Sequence, residues 1–402
     1  MEFSPSSNCD YVQPKHCRTG HPGEPTLIQL IPRRTWEPNG VADYAVTLAR
    51  ALRDCSGINT LFLSGTPFTD SSRTQDDGGT VSLPKQNARV LEDKLQSLTA
   101  GKDVIGVLLH FSGYGYQKRG VPLWLVNGLR RWRTRQGKIP LITIFHELYA
   151  AGRPWESSFW LAPVQKWIAR DILLLSSRAI VTTDLCGARL VQWTNNSGSG
   201  ITCMSVFSNV GEPGCGLPPG ARPATAVVFG LAGVEDRIFG IYRREVERLV
   251  ILLRVERIID IGPRLSQSPT ELAGIPVIPK GALSHNVVSD LLKHARFGFA
   301  GYPFHGIGKS GVFAAYAAHG VVPIVLSENL GHFNGVEPGL HCLDGLRLNT
   351  DVDQDDLAYI QAELYSWYAS HSARVQAGFL ENSINELQGA SECARGLIGP
   401  RN

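Results

Sequence analysis

The stretch from Tyr302 to Val325, YPFHGIGKSGVFAAYAAHGVVPIV, decides how this chain is read. Just before it, Arg296–Ala300 (RFGFA) is a short apolar run of strand type. Within it, Ser310–His319 carries small and apolar residues at helical spacing, and Val321–Leu326 is a second apolar run. Strand, glycine-rich turn, helix and strand make half of a Rossmann unit. Gly306, Gly308 and Gly311 stand where only small residues let a phosphate approach the backbone. Free N–H groups at the helix start would face that anion, with Lys309 adding charge and Ser310 a hydroxyl. A phosphate-bearing ligand is expected here. The plain alternative, glycines that serve only helix–strand packing, stands beside it, because a lone glycine pattern is weak.

Two general phosphate patterns come close. GIGKSG fits G-x-G-x-x-G, and Glu328 follows the next strand where a dinucleotide fold places its ribose-binding acid. That pattern would make the chain an NAD(P)-dependent oxidoreductase. FHGIGKS nearly fits the P-loop, but Pro303 holds the position of its first glycine. Position in the chain argues against both, since such units usually open a domain and here most of the chain comes first.

Outward from the centre, the pattern repeats. Ala226–Phe229, Ile258–Ile261 and Val277–Pro279 read as strands, and Tyr242–Leu253 and Asn286–Ala295 as helices. Residues 211–223 (GEPGCGLPPGARP) are the clearest linker. Before them runs a similar series. Thr26–Ile31 is a strand, PRRTWEPNG a loop, Val41–Leu52 a helix and Ile58–Leu63 a strand. Residues 66–88 are polar and expected to form a loop. Val104–His110 is a buried strand ending in His110, and Leu141–Phe145 delivers His146 and Glu147 at its carboxyl end. In open α/β sheets ligands bind beyond those ends, so paired histidines there suggest a polar site. Each of them alone is more often structural. Helices are expected at Pro122–Arg135 and Leu161–Leu175, and strands at Ala179–Thr182 and Val206–Val210. From Asp353 onward the signal is helical, with a frayed end at 390–402.

The reading is therefore α/β, with two Rossmann-like domains facing across a cleft. Residues 1–25 are a disordered leader, 26–210 the first domain, 211–223 a linker, 224–365 the second domain, and 366–402 C-terminal helices and tail. A chain of 402 residues suits two domains, and a net charge of +3 is too small to argue for nucleic acid. No run of eighteen apolar residues exists, and neither signal peptide nor anchor is expected at the N-terminus. The eight cysteines show no metal spacing; Cys9 and Cys17 with His16 are the nearest to a cluster, and read as chance. A cytoplasmic protein with reduced thiols is expected. Arg130, Arg131, Arg133 and Arg135 form a basic helix face, solvated or laid on anionic lipid at the inner face of a membrane.

The order of these parts resembles the retaining two-domain GT-B glycosyltransferases, particularly glycosyltransferase family 4, the group 1 transferases. Its carriers are NGVADYAVTLARAL, LLHFSGYGYQKRGVP, IFHELYAAGRPW, the Ser208-Asn209 pair before the linker, and GKSGVFAAYAAHGVVPIV. The resemblance spans about residues 26–380. It implies transfer of a sugar from a nucleotide-diphosphate sugar to an acceptor hydroxyl with retention, in polysaccharide or glycolipid assembly, with no metal or other cofactor. It implies catalytic roles for His146, Lys309 and Arg237, and donor contacts from Asn39, Gly40, Gly306, Gly308, Ser310, Gly311 and Glu328. Asp43, His110 and Glu147 fall on the side of the glycan or lipid-linked acceptor. The family's two glutamates, eight positions apart, are missing. One register puts Ile307 and Ala315 there, the other His305 and Phe313. Arg237 is half of the expected basic pair, with Lys280 or Lys309 as the other half. A catalytically silent, sugar-nucleotide-binding member is the remaining alternative.

Overall fold

The computed structural model describes residues 23–33, 39–67, 79–100, 103–150, 152–194, 200–214, 216–230, 232–263 and 269–396. Most of the expected leader, with Cys9, His16 and Cys17, lies outside them, as do much of the loop expected at 66–88 and the end of the tail.

The first half is β1 (Thr26–Ile31), α1 (Gly40–Ser56), β2 (Asn59–Ser64), β3 (Thr80–Ser82), α2 (Ala88–Thr99), β4 (Val104–Phe111), α3 (Gly113–Tyr116), α4 (Leu123–Arg135), β5 (Leu141–Phe145), α5 (Ser157–Leu175), β6 (Arg178–Val181), α6 (Asp184–Trp193) and β7 (Ile201–Cys203). Its seven strands pair in parallel in the order β3-β2-β1-β4-β5-β6-β7. β1, β4 and β5 are apolar almost throughout because helices cover both faces of the sheet.

The second half is β8 (Thr225–Phe229), α7 (Ala232–Glu235), α8 (Arg243–Leu252), β9 (Arg257–Ile261), β10 (Glu271–Leu272), β11 (Ile275–Gly281), α9 (His285–His294), β12 (Phe297–Ala300), α10 (Gly311–His319), β13 (Val322–Val325), β14 (Leu343–Asp344), α11 (Gln354–Ala369) and α12 (Ala373–Gly396). The order is β10-β11-β9-β8-β12-β13-β14, parallel except for the β10–β11 edge pair. With their interleaved helices, these are two Rossmann-like sheets.

Three expectations need correction. Val206–Val210 is not a strand. The last strand of the first sheet is β7, and the next residues cross to the second half, Val206 donating its N–H to the Gly308 carbonyl at 2.7 Å and Ser208 to the Tyr368 hydroxyl at 2.8 Å. The composition is strand-like, but these amides go to separate partners in the other half. Thr80–Ser82, within the expected loop, pairs with β2 as an edge strand. The tail does not fray at 390, because helix α12 continues to Gly396.

α12 returns to the first half and packs along α1. Tyr44 donates its hydroxyl to Gln376 Oε1, Ser56 bonds Glu381 at 2.6 Å, and Arg178 bonds Ser383 and Glu386 at 2.8 Å. One continuous buried cluster consequently runs from Leu48 and Ile144 through Phe207 to Phe313 and Leu380. At the crossing, the Glu212 carboxylate accepts from the Tyr368 hydroxyl and the Ala373 N–H.

Candidate functional site

Each sheet reverses its winding at one place, between β1 and β4 in the first and between β8 and β12 in the second. Loops leaving strands at such a point diverge to opposite faces and open a crevice. Here the two crevices face each other and form one cavity of about 290 Å³. Asn39, Gly40, Ser112, His146 and Glu147 line it from the first half, and Tyr302, Lys309 and Gly311 from the second.

On the first wall, α1 begins at Gly40 because Asn39 caps it, its Oδ1 accepting the N–H groups of Val41 (3.2 Å) and Ala42 (3.5 Å). The Asp43 carboxylate returns to the Asn39 N–H at 3.1 Å. Burial raises the Asp43 pKa, partly offset by His285 from the second half and by that hydrogen bond. Behind the wall runs a chain of polar groups. Gln29 Nε2 donates to Thr60 Oγ1 (3.2 Å), which turns Gln29 Oε1 toward His110 Nε2 at 2.8 Å. His110 therefore carries its proton on Nε2 and accepts at Nδ1, 3.2 Å from His146 Nε2. His146 Nδ1 is left with its lone pair and no partner among the described residues. Burial lowers both imidazole pKa values, His146 to about 4 and His110 well below the ordinary range, where the neighbouring ring adds to the effect. Both are neutral at pH 7. Tyr44, stacked on Phe207 at 4.2 Å, meets His146 edge-on at 5.1 Å and fixes its plane.

On the second wall, Ser310 Oγ accepts the Phe313 N–H at 3.2 Å and the Ser310 carbonyl accepts that of Ala314 at 3.0 Å. The first N–H groups of a helix have no acceptor within it. Those of Gly311 and Val312 have no acceptor among the described residues, and Gly311 lines the cavity. Lys309 Nζ reaches 3.9 Å from Glu147 Oε1 across the gap. Tyr302, its pKa raised chiefly by burial, feels Lys309, Glu147 and Arg237 together. Arg237 donates to the Gly301 carbonyl at 2.9 Å and stands beside the cavity without lining it.

The fold thus brings together Asn39, Gly40, His146, Glu147, Lys309 and Gly311, with Asp43, His110 and Ser310 directly behind them. Gly306, Gly308 and Glu328 do not line it. Gly306 and Gly308 are buried, and a Cβ on Gly308 would sit 2.5 Å from Asn334 Nδ2 and 2.6 Å from the Thr182 carbonyl. That glycine permits the second half to close on the first. Glu328 is exposed after β13. Ile307, Ala315 and Phe313, at positions of the missing glutamates, are buried in the apolar core. Tyr44, Ser112 and Tyr302 also line the cavity without an individual signal in the sequence, Ser112 two residues beyond His110 at a strand end, and Asn209 lines it from the Ser208-Asn209 pair. The basic face of α4 is occupied: Arg131 and Arg135 flank Glu92, Arg130 pairs with Asp171, and Arg133 donates to the Ile139 carbonyl.

The sequence matches no family profile and no curated protein. Solved structures do match. An α,α-trehalose 6-phosphate synthase from Burkholderia multivorans superposes with a TM-score of 0.59 at 12% identity, over 92% of this chain and 98% of its own. The apo form of a lipopolysaccharide outer core galactosyltransferase gives 0.56 at 12%, over 90% and 99%. An α-glucosyltransferase bound to UDP and a 13-mer DNA gives 0.55 at 10%, over 90% and 99%. Likeness at this identity defines the fold, a GT-B architecture shared with glycosyltransferases.

Proposed function

We propose that the chain is a glycosyltransferase that moves a sugar, of hexose type, from a nucleotide-diphosphate sugar to an acceptor hydroxyl. One observation carries the reading: the open start of α10 and Lys309 face His146 across a cavity at two opposed switch points. The neighbours, enzymes of sugar transfer on the same architecture, support it. Residues 26–210 then act as the acceptor-side domain and 224–365 as the donor-side domain, with 366–402 joining them.

The chemical difficulty is negative charge on the leaving diphosphate. The N–H groups of Gly311 and Val312, the helix dipole behind them and Lys309 stabilise it, with Arg237 supplying longer-range charge. A diphosphate takes Lys309 from Glu147, a half-exposed pair of small intrinsic value. Neutral His146 offers its Nδ1 lone pair to a donor-sugar hydroxyl, its proton held on Nε2 by His110. The scheme uses no metal. Retention, a glycan or lipid-linked acceptor, polysaccharide or glycolipid assembly and a cytoplasmic site of action follow from the family resemblance and belong to the same proposal. A second reading, binding without turnover, is favoured by the apolar side chains at the missing glutamate positions.

The test is nucleoside diphosphate release from a panel of nucleotide sugars. Release with a single nucleotide sugar supports the transferase, and binding without release selects the silent reading. His146→Ala should slow release roughly tenfold, the scale of one lost hydrogen bond, with little change in Tm. A large drop in Tm would instead make His146 a core residue.

A further inference from the structure

The outer side of α5 carries more exposed large hydrophobic side chains than any other helix among the described residues. Its inner side, Gln165, Ile168, Ala169 and Ile172, is buried against the first sheet. On a helix covering a soluble core the opposite side is polar. Here Trp160, Val164, Trp167 and Leu174 occupy it, a stripe spaced by four, three and seven residues, with Trp160 71% and Trp167 45% exposed. Trp155, 75% exposed, extends the stripe past the helix start, and in the first turn the Phe159 and Trp160 rings meet edge to face at 5.4 Å. Contiguous exposed aromatic surface of this kind marks an interaction site.

Charge says what covers it. Arg153, Lys166 and Arg170 flank the stripe, Arg153 lying 5.6 Å over the Trp155 ring. Lys118 and Arg119 add to them from the loop after α3. Gln165 pins that loop to α5 through the Arg119 carbonyl (2.8 Å) and α3 itself through the Tyr114 hydroxyl (3.2 Å). The acids nearby are engaged: Glu156 accepts from the Arg153 N–H and Ser158, and Asp171 pairs with Arg130. Aromatic and aliphatic residues bordered by cations are the pattern of a helix lying in the headgroup layer of an anionic membrane. A sugar-stacking platform needs carboxylates and amides beside its rings to bind hydroxyls. This stripe has cations, Val164 and Leu174 instead, and the Trp160 indole N–H already donates to the Pro154 carbonyl at 2.9 Å.

We infer that this face of α5, with the loop after α3, docks the protein flat on an anionic lipid surface. No helix among the described residues is long and apolar enough to cross a membrane. Docking also sets the orientation. Ser112 lies just before α3, and His146 and Glu147 just before the loop to Trp155, and all three line the cavity. The contact surface and the cavity mouth are therefore at the same edge of the first sheet. If the transferase reading holds, a lipid-linked acceptor reaches the site from the surface on which the protein sits. The docking itself does not depend on that reading.

Co-sedimentation of the full chain with phosphatidylcholine vesicles, with and without phosphatidylglycerol, is the test. Binding to the anionic vesicles alone, weakened by salt, is the expected result. Trp160→Ser with Trp167→Ser should lower the partition at least roughly tenfold, because each indole leaves a buried position in the bilayer. Lys166→Glu with Arg170→Glu should lower it too. Unchanged Tm in both double variants shows that the fold is intact. No binding to either vesicle, or equal binding by wild type and variants, overturns the inference. So does a tryptophan-dependent interaction with soluble glycan oligomers, or a tryptophan-dependent dimer seen by light scattering, in place of lipid binding. The vesicles contain no donor, so the outcome is separate from that of the transfer assay.

Discussion

Two helices point their N-termini into one cavity, and they are finished differently. At α1 the Asn39 side chain takes the N–H groups of Val41 and Ala42 and the Asp43 carboxylate takes the Asn39 N–H, so this helix start is more fully capped and carries an acid. At α10 the cap, Ser310, takes one, the N–H groups of Gly311 and Val312 have no acceptor among the described residues, and Lys309 precedes them. A helix dipole alone would make the two ends equivalent for an anion. The local side chains remove that equivalence. The first wall is neutral to acidic and suited to hydroxyl groups, whereas the second is cationic and suited to phosphate.

Acid should have the largest effect, because the folded chain holds His146 and His110 neutral while the unfolded chain takes up protons on both. The His146 pKa is depressed to about 4 from 6.5, so its stabilising contribution is complete above pH 6.5 and is lost as pH falls toward 4. The loss is on the order of 3 kcal/mol. Buried His319 and His371, also held near 4, steepen the same slope. Denaturant midpoints of wild type and His146→Gln across that window isolate the His146 share, and parallel curves would mean that its imidazole is not held neutral.

Next in size is Lys309→Ala, which should weaken nucleotide-sugar binding by roughly 1–3 kcal/mol in calorimetry, the scale of a charge-assisted contact. Unchanged affinity removes Lys309 from the second wall's function. Ser310→Ala and Asn39→Ala each lose a cap and should cost about 1 kcal/mol of stability in chemical denaturation. Tighter nucleotide binding in the Asn39 variant would show that its side chain is what keeps anions from α1. The smallest effect belongs to Asp43→Asn. It should change donor affinity within about twofold, since the proposal seats the phosphate at the other wall. A strong gain would place phosphate at α1 and reverse the contrast.

The wall proposed to bind phosphate was the more legible in sequence. A turn of glycines before a helix of small residues is local, so Lys309, Ser310 and Gly311 can be read from neighbours alone. Gly306 and Gly308 belong to the same pattern, yet the Gly308 backbone is needed for contact with Thr182 of the other half, which no local pattern reveals. His146 and Glu147 were visible as polar residues ending an apolar strand. Tyr44 was not, because on a helix it looks like any core aromatic until Phe207 and His146 are seen around it. Val206–Val210 misled for a related reason. Strand propensity describes a pleated, half-buried surface, and a segment crossing between two sheets meets the same environment without a ladder. Helix α2 was passed over although Val90, Leu91, Leu95 and Leu98 mark one face, because the polar residues before it masked its start.

The return of α12 to the first half means that the backbone joins the two sheets twice, at residues 204–224 and again at Ala369–Ala373. Glu212, Ser208 and Tyr368 pin those two passages together. A single tether would leave the lobes free to twist and slide. Two tethers side by side leave chiefly one rotational degree of freedom, about an axis through that pinned junction. A ligand that bridges the two walls would then have one coordinate to fix instead of six.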